Sequence, residues 1–175
     1  MKHHNRAALA LGPLLFLAGD AGATMMTGAI QVQLVISPAC EVGSAGTALS
    51  GNLGQLNFGN QGPTWTGPIN ASIQNSGANL HVTCNASVSG FTVTIDGGVN
   101  GDGSTRRLSN GNRTIAYRLT VDAEGNDTYR VGEQRNFAVT SDVRSPIPVF
   151  GIVVANTNAL PSGIYSDTLT VTLDW

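Results

Sequence analysis

Apolar and polar residues alternate with a period of two along much of this chain, and Gly, Asn, Asp and Pro separate the alternating runs. That period sends successive side chains to opposite faces of a strand, and the spacing of three to four that marks an amphipathic helix is almost absent. In the first run Ile30, Val32, Leu34 and Ile36 alternate with Gln31, Gln33 and Val35. Further strands are predicted over residues 53–58, 80–84, 91–95, 114–121, 137–139, 149–154 and 165–175. In the last of these, Leu169, Val171, Leu173 and Trp175 share one face, and Thr168, Thr170, Thr172 and Asp174 share the other. About eight short strands in one chain predict an all-β sandwich or barrel.

The first residues follow a different pattern. Lys2 and Arg6 precede an apolar run over residues 7–18, and Ala21-Gly22-Ala23 offers the small side chains of a cleavage site, so residues 1–23 are expected to be a signal peptide. The run is shorter than the roughly 20 residues that span a bilayer, and no cysteine ends it, which argues against both a membrane anchor and a lipoprotein. The remaining 152 residues suit one domain. Removing Lys2, Arg6 and Asp20 leaves seven Arg against ten acidic residues, a formal charge of -3 that disfavours nucleic acid as a partner. Cys40 and Cys84 then meet an oxidising compartment, where pairing is expected. In the loop-entropy model, closing about 45 residues contributes on the order of 4 kcal/mol.

Catalytic chemistry is thin. His81 is the single histidine beyond the signal peptide, and no Gly-x-Ser-x-Gly elbow accompanies it, so no catalytic residues are expected. One imidazole is too few for a copper–zinc centre. Residues 96–103, Asp96-Gly97-Gly98-Val99-Asn100-Gly101-Asp102-Gly103, read as a solvated loop. The calcium-loop pattern fails because its first acidic position falls on Gly98 and no Glu closes it. No metal and no cofactor are expected. The only lysine is Lys2, so a polymer of the exported chain has no lysine amide cross-link and would need another route, such as a sheet edge that accepts a foreign strand.

Several segments taken together resemble the spore coat protein U domain family, which includes the pilins of archaic (Csu-type) chaperone-usher pili. They begin with Thr27-Gly28-Ala29-Ile30-Gln31-Val32-Gln33-Leu34-Val35-Ile36 leading to Cys40, then Leu56-Asn57-Phe58-Gly59 and Val82-Thr83-Cys84. Phe91-Thr92-Val93-Thr94-Ile95, Arg106-Arg107-Leu108-Ser109-Asn110 and Ile115-Ala116-Tyr117-Arg118-Leu119 continue the likeness. Pro148-Val149-Phe150-Gly151 and the run from Gly163 through Tyr165 and Asp167 to Leu173, with Trp175 behind it, complete it. Many members carry a Trp-Gly pair soon after the Tyr-x-Leu strand, in a region where this chain reads Asp127-Thr128-Tyr129-Arg130.

The resemblance implies an immunoglobulin-like β-sandwich that lacks its last strand and is completed by donor-strand exchange. It further implies a fimbrial subunit carried through the periplasm by a chaperone, assembled at an outer-membrane usher into a homopolymer, and displayed on the cell surface for adhesion and biofilm formation. On that reading residues 24–36 hold the donor strand, with Met26, Gly28, Ile30, Val32 and Leu34 on its inserted face, and residues 37–175 form the domain. Leu169, Val171, Leu173 and Trp175 then border the acceptor groove, with no residue after Trp175 to supply a further strand. Burying three large apolar side chains at about 1.5 to 3 kcal/mol each would contribute roughly 5 to 9 kcal/mol before ordering entropy. The alternation alone favours a plainer arrangement, in which residues 30–36 are the first strand of their own sandwich. A monomeric secreted binding module using the loop at residues 96–104, and a spore or envelope coat component, are the competing readings.

Overall fold

The computed structural model describes residues 26–44, 47–48, 51–73 and 80–175; the expected signal peptide at residues 1–23 lies outside them. The chain divides into Met1–Val35 and Ile36–Trp175. In the first unit residues 26–35 form no strand and are exposed. Among its described residues the second unit holds twelve strands, β1 (Cys40–Ser44), β2 (Thr47–Ala48), β3 (Ile69–Ser72), β4 (Leu80–Cys84), β5 (Gly90–Ile95), β6 (Arg106–Ser109), β7 (Thr114–Thr120), β8 (Thr128–Tyr129), β9 (Gln134–Ala138), β10 (Ser145–Pro146), β11 (Phe150–Val153) and β12 (Val171–Asp174). They form sheets in the orders β10-β4-β1-β2, β3-β11-β7-β6 with β8 beside β7, and β12-β5-β9. Every pairing is antiparallel.

The fold is all-β, and its sheets share one core. Alternation decides which side chains enter it: Leu80, Val82 and Cys84 of β4, and Phe91, Val93 and Ile95 of β5, are buried, while the residues between them are only half-buried. Tyr117 and Leu119 of β7, Tyr129 of β8, Val153 of β11, and Ile147 and Val149 ahead of β11 close the same cluster. Phe91 and Phe137 stack at 5.3 Å across the β5–β9 pair.

Three predicted strands differ. Residues 53–58 belong to no strand of these sheets, because Gly54 adopts a φ of 135° and the side chains of Asn52 and Asn57 take the amides of Gly54 and Gly59. The segment still packs on the core through Leu56 and Phe58, which sit over Gly151 of β11 where a Cβ would lie 2.7 Å from the Phe58 ring. Residues 30–36 are likewise in no strand, since alternation describes a face and says nothing of a hydrogen-bonding partner. The last run narrows to β12, with its earlier residues held by single contacts.

Candidate functional site

The chain from residue 165 onward runs along one side of β5 and β6. Asp96 N donates to Thr170 O at 3.1 Å, Val99 N to Thr168 O at 3.1 Å, and Ser109 and Ser166 exchange both backbone bonds at 2.9 and 3.0 Å. Thr172 and Asp174 continue that line as partners of Thr94 and Thr92 in β5. The even residues therefore spend their main-chain groups on β5 and β6. By the strand period the odd residues Tyr165, Asp167, Leu169, Val171 and Leu173 turn their amides and carbonyls to the opposite edge, and β12 has no second strand partner among the described residues. Their side chains point inward and are half-buried.

Beside the first part of this edge lies a cavity of about 780 Å³ with both apolar and polar lining residues. Leu108 of β6, Ile115 of β7 and Val153 of β11 line it from the sheet, residues 55–63 form one wall and residues 160–167 the other. One end is crossed by contacts: Trp65 and Asn156 exchange backbone bonds, Leu160 N donates to Pro63 O at 3.1 Å, and Trp65 Nε1 donates to Val154 O at 2.8 Å. The wall of residues 55–63 contributes Leu56 and Phe58, the latter edge-on to Tyr117 at 6.2 Å.

Asp167 is the one acidic side chain among the inward-facing odd residues. Tyr117 Oη donates to its Oδ2 at 2.8 Å, and Asn100 donates to its Oδ1 from N at 3.1 Å and from Nδ2 at 3.2 Å. Burial, reinforced by that bond to Asp167, pushes the Tyr117 phenol far above its usual range, so it stays a donor. Behind this node Arg106 is 3% exposed and donates to Asp96 O at 2.8 Å, Tyr129 O at 2.6 Å and Ile95 O at 2.8 Å. Burial pulls its pKa down, and the acidic neighbours Asp96 and Asp167 partly offset that. In the loop at residues 96–104, Asp102 accepts from Ser104 N, Thr105 N and Arg107, so this carboxylate holds the loop itself. Among the described residues no group of three or more His, Cys, Asp and Glu gathers as a metal site.

Of the residues expected from sequence, Leu169, Val171 and Leu173 pack half-buried against the core below the cavity rather than lining it. Trp175 is 53% exposed and lines a separate shallow hollow of about 400 Å³ with Phe91 and Phe137. Cys40 and Cys84 are bonded to each other, with Cα atoms 4.0 Å apart at one end of the β1–β4 pair. Met26, Ile30, Val32 and Leu34 are 84–96% exposed, and Gly28 is exposed with them. The cavity-lining Leu56, Phe58, Leu108, Ile115, Tyr165 and Asp167 were not singled out as site residues. For the last two the signal was present, since extending the Leu169–Trp175 alternation back by two steps reaches them.

A family model described as Spore Coat Protein U domain matches residues 26–172. No curated protein matches the chain. Among solved structures, the chaperone–tip adhesion subunit pre-assembly complex from archaic chaperone-usher Csu pili of Acinetobacter baumannii is similar at 19% identity and a TM-score of 0.49. The similarity covers 80% of this chain and 40% of that one, so this chain spans less than half the length of that neighbour.

Proposed function

The chain belongs to the Spore Coat Protein U domain family, and on that footing we propose that it is a structural pilus subunit of a chaperone-usher system which polymerises by donating residues 24–36 to a neighbouring copy. The observation that carries the reading is a pair of complementary features. Residues 165–173 present an open strand edge beside a cavity lined in part by Leu56, Phe58, Leu108 and Ile115, and residues 26–34 alternate apolar residues that are exposed. An unpaired edge next to exposed apolar surface is a template for strand addition, since both the edge and the added strand gain main-chain hydrogen bonds while apolar side chains leave water. Before assembly a periplasmic chaperone would cover the same edge, and an outer-membrane usher would exchange it for the next subunit. The product is a surface fibre serving adhesion and biofilm formation, and the chain's role in it is structural rather than enzymatic.

The test is an unheated denaturing gel of the exported protein made with its chaperone and usher, beside a version lacking residues 24–34. A heat-sensitive ladder from the full chain alone is the expected result. A single monomer band from both, with each folding cooperatively alone, would replace this reading with the monomeric secreted binding module.

A further inference from the structure

The donor face and the acceptor edge each carry one irregularity, and the two match. Along the donor the inward positions read Met26, Gly28, Ile30, Val32, Leu34, four large apolar side chains with a single gap. Along the acceptor they read Tyr165, Asp167, Leu169, Val171, Leu173, with a single carboxylate. Resting on the reading of the chain as a strand-donating subunit, we propose that residues 26–34 of a second copy dock antiparallel along residues 161–169 in the one register that sets Gly28 opposite Asp167.

Desolvation selects the residue opposite Asp167. Its carboxylate accepts from Tyr117 and Asn100 at the end of the cavity. A Met, Ile, Val or Leu side chain laid over it would strip water from a charged group and return no hydrogen bond. Gly28 lays no side chain there. Shifting the register by two in either direction puts Met26 or Ile30 on the carboxylate.

The cavity selects the direction. Its lining on this wall runs from Leu160 to Asp167 and stops. Antiparallel docking with Gly28 at Asp167 sets Ile30 opposite Tyr165, Val32 opposite Gly163 and Leu34 opposite Pro161, so three large apolar side chains enter the empty volume. Leu34 then reaches the end where Leu160 bonds Pro63. Parallel docking with the same pair would place them beside Leu169, Val171 and Leu173, outside that cavity. The backbone agrees with the register from Tyr165 onward: Tyr165, Asp167 and Leu169 offer their amides and carbonyls outward, and Ile30, Gly28 and Met26 pair with them with both side chains on the inner face.

In this register Ala29 lies directly opposite Ser166 as a non-hydrogen-bonded pair, both on the outer, exposed face. Such pairs have Cα atoms about 4.5 Å apart, which a disulfide can bridge. A slip of two residues moves the partner by about 7 Å along the strand. The experiment mixes full-length A29C chains with full-length S166C, I164C or T168C chains during assembly, oxidises the fibres and boils them without reductant. A dimer band that survives heating with S166C and is absent with I164C and T168C is the expected result. A band with I164C or T168C instead, or with none of the three while the unheated ladder persists, overturns the register and leaves strand donation standing. Loss of the unheated ladder from the parent chain itself overturns both.

Discussion

The guanidinium of Arg106 is buried with its charge shared among three main-chain carbonyls, those of Asp96, Tyr129 and Ile95. These come from the end of β5 and from β8, so one side chain ties together strands that lie in two different sheets. Only a planar fork reaches three acceptors at once, and an ammonium on a flexible stem leaves at least one carbonyl without a donor. Arg106→Lys is therefore expected to lower unfolding stability by about 2 to 3 kcal/mol, read from urea midpoints at constant slope; an unchanged midpoint would show that the fork is dispensable. A second expectation at this scale concerns acid. Asp102 is held below the usual carboxylate range by Arg107 and by the amides of Thr105 and Ser104. Asp122 is held there by the amides of Asn126 and Asp127. In Asp96 burial pushes upward, but the amides of Thr170 and Gly98 outweigh it. Each carboxyl takes up its proton at lower pH when folded than when unfolded, so its contribution is complete above the ordinary value near pH 4 and is lost as pH falls through the lowered one. A melting temperature that is level from pH 7 to about 5 and declines below about 4 is expected, and one that stays level to pH 2 would contradict it.

At the scale of elements, β4, β5, β7 and β11 lie within about a residue of the runs that alternation predicts. They are central strands whose inward positions are filled by Leu, Val, Ile, Phe and Tyr, so pattern and burial coincide. The strands that escaped have polar or short sequences. β6 reads Arg-Arg-Leu-Ser and buries its arginine, which a hydropathy pattern scores as solvent-facing, and β3 reads Ile-Asn-Ala-Ser. β1 is another, and among the described residues its strand neighbours are β4 and the two-residue β2. The Cys40–Cys84 bond holds that pairing at its end and closes a separation of 44 residues. Replacing both cysteines by serine is expected to cost about 2 to 5 kcal/mol, measured by chemical denaturation. A cost below about 1 kcal/mol would mean that β1 stays in place through its ladder alone.

For the molecule as a whole, the proposed donor and acceptor would be separable functions of one chain, because residues 26–34 contain no strand of the sandwich. Ile30→Asp or Val32→Asp is accordingly expected to leave folding and strand acceptance intact and to abolish donation, since a buried carboxylate without a partner costs more than the apolar burial returns. Mixed with parent subunits, such chains should shorten fibres in proportion to their share, as measured by fibre length in electron micrographs. Fibres of parental length from the pure variant would refute the assignment of this face as the inserted one. Local pattern determined that the chain is built of strands and which side chains of the central ones face inward, because side-chain direction follows from the backbone of a residue and its immediate neighbours. The same alternation, carried back one step from Leu169, reaches Asp167, and Gly28 lies in the N-terminal alternating run. Local pattern could not decide which edge stays open, that residues 53–58 pack without joining a strand, or that the cavity opens at residues 160–167 and stops short of Leu169. Those depend on hydrogen bonds between residues far apart in sequence, such as Ser109 with Ser166, and only the tertiary structure decides where such pairing ends.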